Sequence, residues 1–299
     1  MIKRRLVNKF RVHPGRRVKL RDYPTDWTGT KEAKSLGRDV IKARAEEMLQ
    51  ESREELAEAQ ELLYASDTYS VLIIFQGMDT CGKDGTIRHV MGGVNPQGCQ
   101  VFSFKQPSDE ELDHNFLWRC SKCLPERGRI GIFNRSYYEE VLVVKVHPEI
   151  LVRQKLPPGK RDATFWRERY DDINSFERHL VHSGTRILKF FLYLSKGEQK
   201  RRFLERLENP SKHWKFSAAD LAERPFWNDY MRAFEDAISA TSTDAAPWYI
   251  IPADRKYVAR ALVADIIVSA IRGLGLKPPQ VSKEKRNELA SARRRLLRE

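Results

Sequence analysis

The segment Gly77-Met78-Asp79-Thr80-Cys81-Gly82-Lys83-Asp84-Gly85 has the composition of a loop that meets phosphate, and it directly follows the apolar run Val71-Leu72-Ile73-Ile74-Phe75. Glycines let successive backbone N–H groups turn inward on one anion. A helix opening at Thr86-Ile87-Arg88 adds the partial positive charge of its N-terminus. Lys83 adds a full charge, as the lysine of a Walker A loop does. Such loops ordinarily end Gly-Lys-Ser/Thr, the hydroxyl assisting magnesium, whereas Asp84 follows the lysine here. Either Asp79 holds the metal from inside the loop, or the ordinary nucleoside triphosphate arrangement is absent. A carboxylate at position 79 repels phosphate unless a metal or an arginine intervenes. The candidate phosphate contacts are Gly77, Gly82, Lys83, Asp84, Gly85 and Thr86, with Arg88 in the following helix and Lys105 at the end of the second expected strand.

A second constellation is Gly131-Ile132-Phe133-Asn134-Arg135-Ser136-Tyr137-Tyr138-Glu139-Glu140. Beside a phosphate loop, a neighbouring strand usually ends in an acidic residue. Asn134 holds that place, with Arg135 next to it. Arg135 can grip a phosphate through two parallel N–H bonds; a surface ion pair is the plainer alternative. A third group of bases spans Gly197–Arg206 and Lys212-His213-Trp214-Lys215-Phe216. It reads as a lid that closes over a transferring phosphate, or as a solvated charged face. Four cysteines, Cys81, Cys99, Cys120 and Cys123, are too few for a disulfide scaffold. Cys120 and Cys123 form a lone C-x-x-C near the end of an expected helix, with no second pair to complete a zinc site.

These residues need elements to hold them. Apolar positions recurring from Lys31 to Ala65 predict a long helix that packs on the side of the downstream core. Strands are expected at Val71–Phe75, Cys99–Phe104, Arg129–Phe133, Arg186–Leu194 and Trp248–Ile251. Helices are expected at Thr86–Gly92, at Asp109–Cys123 with Ser108 as N-cap, and at Ser136–Val144, Thr164–His182, Gly197–Glu208, Ser217–Ala240 and Asp254–Gly273. The alternation predicts an α/β chain whose five-stranded parallel sheet carries helices on both faces. Residues 1–70 form a basic arm plus the long helix, 71–275 the core with a lid at about 197–230, and 276–299 a basic, at most partly helical tail. The net charge of +13 points to a polyanion: nucleic acid, an anionic membrane or a polyanionic substrate. No apolar run approaches a membrane span and no apolar signal core follows Met1-Ile2-Lys3-Arg4-Arg5, so a cytoplasmic protein with no membrane partner is expected.

Taken together, these motifs resemble the family-2 polyphosphate kinases. The likeness runs from Val12-His13-Pro14-Gly15 to about Leu276 and is carried by residues 77–90, Gly92-Gly93-Val94-Asn95-Pro96-Gln97-Gly98, Asn134–Glu139, Asn209–Phe216 and Ala246–Asp254. The resemblance implies a P-loop kinase-like three-layer sandwich with a helical lid. It implies inorganic polyphosphate as donor, AMP and ADP as acceptors, ADP and ATP as products, and Mg2+, or Mn2+ in its place, as cofactor. Asp79, Lys83 and Arg135 would be catalytic, with Asp79 holding the metal and Arg135 steadying the phosphoryl group in flight. Asp79, Asn134 and Glu139 would meet the nucleotide. Arg178, Arg201, Arg202, Lys212 and Lys215 would track the polyphosphate chain. Many members carry Asp at the place of Asn134 and Asn at that of Glu139, and these departures resemble the subgroup that accepts nucleoside mono- and diphosphates. Glu139 or Asp79 would then supply any second metal contact. A homodimer or homotetramer is expected. The competing readings are an ATP-dependent nucleotide kinase of thymidylate-kinase type, against which Asp84 argues, and a non-catalytic nucleic-acid-binding protein. No nucleic-acid-binding signature is present.

Overall fold

Ser70–Gln76 (β1) is buried along its whole length, because both faces of a parallel sheet are covered and each side chain needs an apolar neighbour. The structure, a computed structural model, describes residues 7–29 and 37–299. Met1-Ile2-Lys3-Arg4-Arg5 and the first residues of the expected long helix, 31–36, lie outside the described residues. β1 is central in a five-stranded sheet of order β2-β3-β1-β4-β5, with β2 at Cys99–Ser103, β3 at Ile130–Asn134, β4 at Thr185–Tyr193 and β5 at Trp248–Pro252. All pairings between these strands are parallel, with Phe75 opposite Asn134 and Gln76 opposite Phe191. β2 and β3 lie to one side of β1, and β4 and β5 to the other. Chain order therefore reverses across β1, which leaves a crevice beyond the C-terminal strand ends.

Helices cover both faces, as expected. On one side Arg38–Ser66 (α1) packs on Lys256–Arg272 (α6), which also touches Lys83–Val90 (α2). On the other, Ala163–His182 (α3) packs against β4 and against Trp227–Thr241 (α5). Lys196–Glu208 (α4) leads from β4 into the basic segment. The arm is largely irregular yet anchored. Phe10, Val12, Val18 and Leu20 are buried, and the arm's N–H groups donate from Val12 to Trp248 O at 2.8 Å and from Val18 to Ser239 Oγ at 2.8 Å. In the tail, Lys283–Leu296 (α7) is helical with no residue buried. No helix among the described residues is long and apolar enough to cross a membrane.

Three expected helices are broken. The helix begun at Asp109 has its Ser108 cap and a complete capping box, but ends at Asp113 and resumes only at Trp118–Ser121. Between them the Asn115 side chain accepts from Leu117 N at 3.1 Å, a local turn that competes with the helix. The 217–240 helix splits into Ala218–Ala222 and α5, because Pro225 supplies no N–H. After β3 the chain makes a 3-10 turn, Tyr137–Val141, before the short helix Val143–Val146. Tyr137 and Tyr138 both donate to Glu177 Oε1, at 2.9 and 2.8 Å. Successive residues of an α-helix do not face one way, so no regular helix can make both contacts.

Candidate active site

The loop after β1 closes tightly on itself. Gly77 has φ 151°, and a Cβ there would lie 2.8 Å from both Cys81 Sγ and Leu192 O. Gly82, at φ 105°, caps α2, so the helix opens at Lys83, three residues earlier than expected. Lys83 is buried and donates from Nζ to Gly77 O at 2.7 Å, so the ammonium spans the loop's mouth. Gln199 of α4 donates to Asp79 O at 3.1 Å. Arg202 does more: its guanidinium donates to the carbonyls of Thr80, Cys81 and Ala253 at 2.9, 3.0 and 2.6 Å, and to Glu198 Oε1 at 2.7 Å. This corrects the expectation that Arg202 tracks a ligand. It is 3% exposed and ties the phosphate loop to α4 and to the end of β5.

Arg135 leaves β3 beside this loop. Its backbone N–H donates to Phe75 O at 3.0 Å, and its φ is 65°, a left-handed conformation that costs a non-glycine residue energy. Its guanidinium meets Asp79 Oδ1 at 3.1 Å. Burial opposes charge on Arg135, but Glu139, Asp79 and Asp220 outweigh it and hold the guanidinium above its ordinary range. Burial pushes the Glu139 carboxyl up, while Arg135 and Lys83 pull it down. Burial and then the Asp79 charge raise Asp220. The strained arginine rests on a fixed support. The Glu177 carboxylate that holds Tyr137 and Tyr138 also accepts from the fully buried Lys189 at 2.5 Å, and Lys189 further donates to Thr241 O at 2.7 Å. A cavity of about 380 Å³ opens here, lined among others by Gly77, Asp79, Lys105, Arg119, Arg135 and Glu139.

The remaining expected residues scatter. Asn134 does not line this cavity; its amide donates to Asp84 Oδ1 at 2.6 Å, so the Asp84 carboxylate faces the end of β3. An aspartate at 134 would place two carboxylates in contact. Thr86 is buried and Arg88 is exposed on α2. Arg201 is 60% exposed and held by Glu198, Lys212 pairs with Glu205, and Lys215 lies over the exposed Trp214 ring at 4.8 Å. Arg178 departs from the lid expectation: it lies near the C-terminus of α3, where the chain returns to the N-terminal edge of β4, and donates to Ser175. Sequence reasoning missed Lys256 and Arg260. Both are pushed down by burial first, then Lys256 mainly by Arg202 and Arg260 mainly by Arg88. Arg260 stands 3.5 Å from where a Gly85 Cβ would be. Their i, i+4 spacing was the available signal. The C-x-x-C is a packing feature: Cys120 is buried and its thiol is pushed up to about 12.

A phosphate loop at the C-terminal edge of a parallel sheet, with an arginine from the next strand aimed across it, defines a P-loop phosphotransferase. The family model for polyphosphate kinase 2 matches residues 39–277. The chain is 50% identical over 293 residues to an ADP-polyphosphate phosphotransferase of Rhodopseudomonas palustris, covering 98% of this chain and 99% of that one. It is 44% identical over 274 residues to an AMP/ADP-polyphosphate phosphotransferase of Meiothermus ruber, covering 92% and 96%. The crystal structure of polyphosphate kinase 2 from Arthrobacter aurescens superposes with a TM-score of 0.84 at 39% identity, covering 96% of each chain. The chain belongs to the polyphosphate kinase 2 family and is a phosphotransferase.

Proposed function

We propose that this enzyme transfers the terminal phosphoryl group of inorganic polyphosphate to AMP and to ADP, giving ADP and ATP. The observation that carries the reading is the Arg135–Asp79 pair, 3.1 Å apart, standing between the Lys83 loop and a cavity of about 380 Å³. The cavity suits the acceptor nucleotide, and the bases beyond the loop, Arg88, Arg260, Lys256 and Arg201, suit the donor chain. Segment 197–230 serves as the lid. The names of the relatives from Rhodopseudomonas and Meiothermus support both acceptors.

The acceptor's phosphate is already largely ionised at neutral pH, its second pKa being about 6, so no strong base is required. One of its oxygens bonds to the terminal phosphorus as the bridging P–O bond breaks, and the chain departs one unit shorter. The barrier is anion repulsion and alignment. Lys83 and the loop N–H groups hold the phosphates around the transfer point. Arg135 exchanges its contact with Asp79 for the phosphoryl oxygens.

The hard oxygens here suit a divalent cation such as Mg2+. Among the described residues no three metal-binding side chains converge, and Mg2+ is typically held by one or two carboxylates plus substrate phosphates. Asp79 would hold it, with Glu139 the adjoining carboxylate. Held there, it would supply positive charge to offset that of the phosphates.

The test is phosphorus NMR of AMP incubated with polyphosphate and Mg2+ in the absence of ATP. ADP and then ATP appear, and the Lys83→Ala variant abolishes both. Phosphorylation of AMP from ATP alone would assign the protein to ordinary nucleotide kinases.

A further inference from the structure

On the outer side of the α3–α5 layer, the N-terminal arm walls an open trough of about 1000 Å³. Seven bases line it against three acids, Asp162, Glu235 and Asp236. Each acid is already engaged. Asp162 accepts from Thr164 N at 2.9 Å as the cap of α3, Glu235 accepts from Leu20 N at 2.6 Å, and Asp236 accepts from Lys145 Nζ at 2.7 Å. Lys145 also donates to Tyr170 OH at 3.1 Å, which fixes it in the floor. The other six bases, Arg16, Arg17, Lys19, Arg21, Arg161 and Arg167, form the two rims, and Arg16, Arg17, Lys19 and Arg21 are exposed. The arm that carries four of them is pinned between them by buried Val18 and Leu20. The phosphate-transfer chemistry described above uses none of these residues.

The trough and the candidate active-site cavity lie back to back. Val143 and Val144 line the cavity while Lys145 lines the trough; Tyr230 and Phe234 of α5 face the cavity while Glu235 and Asp236 face the trough. A chain reacting at Lys83 would have to pass around these two elements to reach the rims, so only a long one could touch both places.

We propose that this trough is a second binding site for inorganic polyphosphate, holding a distant stretch of the same chain whose end reacts at Lys83; this rests on polyphosphate being the donor. A linear chain of phosphates matches rims of guanidinium and ammonium groups. Because the trough backs onto the cavity beside Lys83, the reacting polyphosphate is its nearest source of linear phosphates, and the duplex-DNA arm of the test separates it from a nucleic acid. The second contact works through effective concentration. Once the trough holds the chain, capture of its end becomes intramolecular, and the gain vanishes for chains too short to reach both places.

The experiment compares long-chain polyphosphate with a short oligophosphate as donors, using two variants on separate elements: Arg16→Ala/Arg17→Ala/Lys19→Ala on the arm and Arg161→Ala/Arg167→Ala on the α3 side. Each variant should raise KM for the long chain roughly tenfold. KM for the short donor, KM for AMP, kcat and Tm should stay at wild-type values. An equal rise for both donors, or no rise in either variant, overturns the proposal. A rise in KM for AMP alone would assign the trough to the nucleotide and overturn it too. So would duplex DNA binding that both variants abolish while donor KM holds. Wild-type protein that turns over no polyphosphate at all would instead refute the donor assignment itself.

Discussion

Arg135 is held in a left-handed backbone conformation that only its surroundings can enforce, and its guanidinium is paired with Asp79. Lysine at this position keeps the charge but loses the planar fork. Arg135→Lys should therefore lower kcat by a factor approaching the roughly 10³–10⁵ of an arginine finger, with little change in AMP KM or in Tm. Near-normal turnover in steady-state assays would reject the role. Glu139 gives a prediction of opposite sign for stability. Its folded-state carboxyl lies above the usual carboxylate range through burial, so the fold binds its proton more tightly than the unfolded chain does. The stability it contributes is full below the unfolded pKa and is lost as pH rises through the folded one. Glu139→Gln should then melt higher than wild type at neutral pH, and the two Tm values should converge as the medium is acidified through the ordinary carboxylate range. The same variant should be less active if Glu139 serves the nucleotide or its metal. That Lys83, Asp79 and Arg135 gather at one strand edge was legible in the sequence, because a glycine loop after an apolar run and an arginine at the end of a neighbouring strand fall at the same edge of a parallel sheet. The roles of Asn134 and Asp84 were not: their mutual hydrogen bond depends on the β3–β1 register, which no spacing reports.

Arg201 and Arg202 are neighbours on α4 with opposite assignments. Arg202 stitches α4 to two carbonyls of the phosphate loop and one beyond β5, and its buried guanidinium also pairs with the partly exposed Glu198. Arg202→Met strands those carbonyls and leaves Glu198 with Arg201 as its remaining partner. Urea unfolding should show a loss of roughly 2–4 kcal/mol, each buried acceptor left unpaired costing roughly 1–3 kcal/mol, with AMP and polyphosphate use both impaired. Arg201→Ala should change stability by no more than about 0.5 kcal/mol, since the residue is an exposed ion pair, and should raise only the KM for polyphosphate. A stable Arg202→Met protein would mean the staple is dispensable. Cys120 offers a simpler check: with its thiol pushed up to about 12 and buried, it should resist alkylation in the native fold at pH 8 and react once the chain is unfolded. The sheet and the main helices were readable, because buried parallel strands appear as short apolar runs and helices as three- and four-residue spacing. The breaks were less so. Pro225 and Asn115 stand inside otherwise periodic stretches, and the Tyr137–Tyr138 turn is imposed by Glu177, forty residues downstream of Tyr137. Lys256 and Arg260 were overlooked because only the topology shows that the first turns of α6 start beside the phosphate loop.

The surplus of +13 becomes interpretable once the chain is folded. It is not spread evenly: Arg88, Arg260, Lys256 and Arg201 cluster near the loop, and a further set rims the trough beside the arm. Lys256 and Arg260 are held below their ordinary ranges by burial and by neighbouring cations, so the cluster stores repulsion that a polyanion would relieve. This separates the two substrates by charge. AMP presents one phosphate of about −1.5 to −2, whereas a polyphosphate chain lays one charge after another across several bases. Each cation–phosphate contact releases counterions, so affinity falls with salt by a logarithmic slope of about −0.7 to −0.9 per contact. With roughly four to six cations engaged, polyphosphate affinity should fall with a slope of about −3 to −5, against about −1 for AMP. Steady-state KM values for both substrates, measured across an added-salt series at fixed pH, give the two slopes directly. Parallel lines for donor and acceptor would mean that the clustered bases are an unused solvated face and that the charge belongs to solubility. A steep line for polyphosphate that flattens when Lys256 and Arg260 are both replaced by methionine would place the donor chain on α6.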